Sequence, residues 1–74
     1  MNKNLTTDYV AGEIVDTISL MQLNNETVPV IDSQIILSIA ESFIFSWNEL
    51  GDPEANFNEM LVEHLRMEFK YNFN

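Results

Sequence analysis

Gln34-Ile35-Ile36-Leu37-Ser38-Ile39-Ala40-Glu41-Ser42-Phe43-Ile44-Phe45-Ser46-Trp47-Asn48-Glu49-Leu50, followed by Gly51-Asp52-Pro53-Glu54, is the stretch on which the fold turns. Ile36, Ala40, Phe43, Trp47 and Leu50 recur at the three- and four-residue spacing of one helical face. Ile35, Leu37, Ile44 and Phe45 fall elsewhere on the same helix, so the segment is apolar most of the way round and should be covered on several sides. Asp32 or Ser33 supplies the start, and Gly51 is the residue type expected just past a helix end.

Working outward, Asp52-Pro53-Glu54 reads as the opening of another helix, with Asp52 as cap, Pro53 at the first helical position and Glu54 in the first turn. That helix continues to about Tyr71, with Phe57, Met60, Leu61, His64, Leu65 and Met67 inward and Glu59, Glu63, Arg66 and Lys70 outward. Glu63 and Arg66 are spaced to pair, whereas Glu59 and Glu63 repel. On the other side, Asn24-Asn25 and Pro29 break the chain. Before them, Val10, Ala11, Ile14, Val15, Ile18 and Met21 mark one face of a first helix, with Thr7 or Asp8 as cap. Ile18-Ser19-Leu20 alternates as a strand would, but over too few residues to displace the helix. The expectation is a small all-α three-helix bundle in one domain over residues 1–74, with helices at about 8–23, 32–50 and 53–71.

The chain has 74 residues, 46% of them hydrophobic, with 12 acids against 3 bases and a net charge of −9. Eight aromatics among them argue against disorder, since chains too charged to collapse are poor in such residues. Without cysteine, disulfides and thiolate metal sites are excluded. The start Met1-Asn2-Lys3-Asn4 has no apolar signal-type run, so a reducing, cytoplasmic compartment is expected. No segment reads as a membrane span. An oily middle helix that two short neighbours cannot easily cover points to a homodimer about the middle or last helix.

Little in the sequence suggests catalysis. His64 is the sole histidine, so two-histidine metal sites and Cys/His nucleophiles are ruled out, and a Ser-His-Asp triad lacks its G-x-S-x-G turn. Paired carboxylates such as Glu59/Glu63 or Glu13/Asp16 share helical faces, but general acid catalysis needs one carboxyl isolated in a pocket. Asp52, Glu54, Asn56 and Glu63 fall at four ligand positions of an EF-hand-like loop, yet Phe57 stands where that loop needs Gly. The expectation is a non-enzymatic protein without metal or cofactor.

The charge is unevenly placed. Every acid except Glu68 lies between Lys3 and Arg66, a stretch with no base, and residues 26–54 hold six acids unopposed. Direct nucleic-acid binding is disfavoured, because such proteins neutralise phosphates with Lys and Arg. Carboxylates about 5–6 Å apart on helix surfaces instead imitate closely spaced phosphates. The candidate partner-binding carboxylates are Glu41, Glu49, Asp52, Glu54, Glu59 and Glu63, with Glu13 and Asp16 as a second patch. Charge kept only for solubility is the plain alternative.

Small size, acidity, absence of cysteine and lack of catalytic equipment together resemble the phage-encoded inhibitors that act as DNA mimics, among them anti-CRISPR and anti-restriction proteins. Locally, Phe43-Ile44, Trp47-Asn48, Phe57 and Met60 resemble the helical C-terminal half of a small type II anti-CRISPR protein, across a gap. The resemblance implies host takeover in a bacterial cytoplasm, with a basic nucleic-acid-binding protein of nuclease, nucleoid or polymerase type as target. It assigns no individual contacts. A hydrophobic docking protein whose middle helix grips a partner helix is the alternative expectation.

Overall fold

The computed structural model of the chain describes residues 5–50 and 56–72. Among them are three helices and no strand: α1 Thr7–Leu23, α2 Ser33–Leu50 and α3 Phe57–Asn72. The strand-like alternation at Ile18-Ser19-Leu20 lies inside α1.

Each described start carries its own cap. Thr6, in an extended conformation, accepts a hydrogen bond on Oγ1 from the Tyr9 amide at 3.1 Å, so the cap falls one residue before Thr7. Asp32 Oδ1 accepts from the Ile35 amide at 2.9 Å and opens α2. At α3, Asn56 Oδ1 accepts from the Glu59 amide at 3.0 Å, so the described helix begins at Phe57. The opening expected at Asp52-Pro53-Glu54 lies outside the described residues.

After α1 the chain turns through Asn25, whose φ of 64° is left-handed. The Asn25 amide donates to Gln22 and the Glu26 amide to Met21, both at 3.0 Å, which closes the helix as a Schellman turn. Asn tolerates this backbone better than most residues, because its short polar side chain can bond locally.

Each helix contributes a triplet to the core: Val10, Ile14 and Met21; Ile39, Ala40 and Phe43; Leu61, Leu65 and Phe69. No polar residue is buried among those described. Pairing across helices gives their direction. Phe43 and Trp47 meet Phe57, and Ser42 meets Glu68, so α2 and α3 run antiparallel. Tyr9 meets Phe57 and Glu26 meets Arg66, so α1 and α3 run parallel. One end of the bundle therefore gathers the start of α1, the end of α2 and the start of α3.

Three faces depart from expectation. Val15 and Met67 are exposed at 48% and 58%, whereas Phe69, assigned to neither face, is buried at 8%. Phe69 continues the four-residue steps of Leu61 and Leu65, while Met67 falls to the outer side. Most consequentially, Phe45 is 67% exposed although Phe43 is only 1% exposed. The middle helix is covered on the side that meets α1 and α3 and bare on the other.

Candidate functional site

The aromatic side chains cluster where the helix ends converge. Phe57 stacks edge-on against Phe43 at 5.4 Å and Trp47 at 5.6 Å, and lies 6.0 Å from Tyr9. This is packing that fixes α3 on the α1–α2 pair. The helix turns that meet here carry carboxylates: Asp8 on the first turn of α1, Glu49 near the end of α2 and Glu59 on the first turn of α3, with Glu13 further along α1. Asp8, Glu49 and Glu59 are exposed, and Glu13 is half-buried.

The other candidates are dispersed. Asp16 is exposed on α1, one turn beyond Glu13, and Glu41 is exposed at mid-α2. Glu63 is exposed on α3, 3.9 Å from Nη1 of Arg66. Asp52 and Glu54 lie outside the described residues.

Arg66 and Lys70, the only Lys or Arg among the described residues, sit in the second half of α3, away from the aromatic end. Lys70 lies over the Tyr71 ring at 5.5 Å. Arg66 is anchored mainly by a residue that local spacing does not single out. Its Nε and Nη2 each donate to a different carboxylate oxygen of Glu26 at 3.1 Å. The guanidinium holds the Glu26 carboxyl below its usual range, and Glu26 raises the Arg66 pKa in return. Glu26 is thereby removed from the unopposed acids of the middle segment. No local spacing could have revealed this, because 40 residues separate the partners.

His64 packs its ring against α2. Its ring meets Phe43 edge-on at 5.5 Å, and Nε2 is buried 3.4 Å from Glu68 Oε2 without the alignment of a hydrogen bond. Burial pushes the imidazole pKa down, and the Glu68 carboxylate opposes that shift. Glu68 accepts from the Ser42 hydroxyl at 3.5 Å and from the side-chain Nδ2 of Asn72 at 2.6 Å. Ser42 thus bonds the carboxylate, not the imidazole, so these three groups do not form a nucleophile–base pair.

A surface depression along α3, about 580 Å³, is lined by Met60, Glu63, His64 and Met67 among others. No cluster of three metal-ligating side chains exists among the described residues. In the EF-hand-like register, Asn56 spends its side-chain oxygen on the α3 cap and Phe57 fills the aromatic cluster. No described helix is long and apolar enough to cross a membrane.

No family model, curated protein or solved structure matches the chain.

Proposed function

We propose that the chain is a non-enzymatic inhibitor that occupies the nucleic-acid-binding surface of a basic protein, its carboxylates standing in for backbone phosphates. One observation carries this: among the described residues, Asp8, Glu49 and Glu59 stand on the helix turns that meet at one end of the bundle, while both described bases lie in the second half of α3. A one-sign pole steers an oppositely charged partner and orients it on encounter. In this proposal Glu41 at mid-α2, and Asp52 and Glu54, which follow α2 in the sequence, add further carboxylates; Glu63, beside Arg66, contributes less. Asp16 and Glu13 form the second patch. The setting is a phage-infected bacterial cytoplasm, and a homodimer would double the array.

Binding should therefore weaken steeply with salt, because such attraction is screened within about 10 Å at 0.1 M. The test is capture of bacterial lysate proteins on the immobilised chain, followed by elution with duplex DNA or with salt. DNA-binding proteins released by both agents support mimicry; capture indifferent to both overturns it. Exposed Phe45 favours a second reading, a docking protein whose middle helix binds a partner helix. In that case capture survives high salt and is lost in Phe45→Ser.

A further inference from the structure

The bare side of α2 presents Glu41, Phe45 and Glu49 at successive four-residue steps. All three are exposed, Phe45 by 67%. Neither carboxylate has an ion pair or hydrogen bond among the described residues, so no described neighbour competes for them. With about 1.5 Å of rise per residue, one carboxylate stands about 6 Å along the axis on each side of the ring. Successive four-residue steps keep all three on one stripe.

We propose that this stripe docks a basic amphipathic helix, which seats one large apolar side chain on Phe45 and one Lys or Arg on each of Glu41 and Glu49. Charge complementarity selects this occupant, and Phe45 supplies the contact that charge alone lacks. A partner helix packed alongside presents the matching order base, apolar, base at four-residue intervals. An aromatic ring flanked by charges that exclude water from it has the composition of an interface anchor.

A second copy of the chain fits worse. In a symmetric antiparallel pairing centred on Phe45, Glu41 of one copy opposes Glu49 of the other; in a parallel pairing each carboxylate opposes its own counterpart. Both bring like charges together on chains that each carry −9. Pairing of two copies is thereby left to other surfaces, such as Met67 and Tyr71 on α3, exposed at 58% and 69%.

The inference rests on the proposal of a basic partner and adds the residues that grip it. The probe is a labelled synthetic helix with Arg at two positions eight apart and Leu midway, titrated by fluorescence anisotropy against the full chain. Phe45→Ser and the pair Glu41→Gln/Glu49→Gln should each weaken binding about tenfold or more, and the pair Asp32→Asn/Glu68→Gln, which removes two charges outside the proposed binding surface and keeps a capping side chain at 32, should not. Circular dichroism checks that each variant keeps its helices. No binding by the unaltered chain overturns the stripe. An unchanged affinity in Phe45→Ser with a loss in the charge variants also overturns it, while leaving charge mimicry standing. Equal loss in the Asp32/Glu68 pair means diffuse attraction and overturns it as well. So does sedimentation showing a dimer that Phe45→Ser dissociates, because a second copy then occupies the stripe.

Discussion

Arg66 on the last helix grips both carboxylate oxygens of Glu26, in the turn that follows the first helix. The bidentate pair ties α3 to the connection between α1 and α2, at the bundle end opposite the aromatic cluster. It uses the base that local spacing would assign to Glu63, and leaves Glu63 a longer contact of 3.9 Å.

Glu26→Gln should lower the urea midpoint more than Glu63→Gln does, and 1 M salt should shrink that difference, since the pair is exposed to screening. Equal midpoints for the two variants would show that the clasp contributes nothing in solution. Because the Glu26 carboxyl titrates below its usual value, its contribution is present above the unfolded pKa of 4.5 and fades as the pH falls through the lowered one.

His64 behaves in the opposite sense to a histidine stabilised by its partner. Burial depresses its folded pKa below the ordinary 6.5, so the unfolded chain binds more protons below that value and stability falls as the solution is acidified past it. His64→Leu should flatten the urea midpoint between neutral pH and the folded pKa. A slope that persists unchanged in the variant would place its origin elsewhere.

The two phenylalanines of α2 separate core from surface. Phe43→Ala should cost about 3–5 kcal/mol and Leu61→Ala about 2–5, because both side chains are fully buried. Phe45→Ser should change stability by less than about 0.5 kcal/mol. Chemical denaturation of the three variants decides this, and a large loss at Phe45 would mean that something covers it.

Gly12 occupies the interior of α1 with nothing within 4 Å of the position a Cβ would take. Gly12→Ala should therefore raise stability by about 0.5–1 kcal/mol through reduced freedom of the unfolded chain. Asn25→Val should do the reverse by about 1–2 kcal/mol, since a branched residue is strained at a φ of 64°. Thermal melts of both variants provide the comparison.

Much of the fold was legible from local pattern. The three-helix class, the Asp32 cap and the break at Asn24-Asn25 follow from residues a few positions apart, whose interactions the sequence displays directly. The end of α3 falls at Asn72, one residue past the expected Tyr71, but Phe69, which the sequence reading assigned to neither face, proved to be core. Of the candidate residues, helical spacing put Glu59 and Glu63 on the outward face of α3, where both are exposed. It could not tell which acids keep their charge unopposed.

By itself, then, the sequence determined where helices form, because a helix closes its hydrogen bonds within four residues and its apolar period is written along the chain. It also determined the excess of negative charge. Only the tertiary structure decided that Phe43 is buried and Phe45 bare, that Glu26 belongs to Arg66, and that the described bases lie away from the aromatic end. Those outcomes depend on which helix faces meet and which side chains cross between them. Residues as far apart as Glu26 and Arg66 acquire a relationship only once the chain has packed.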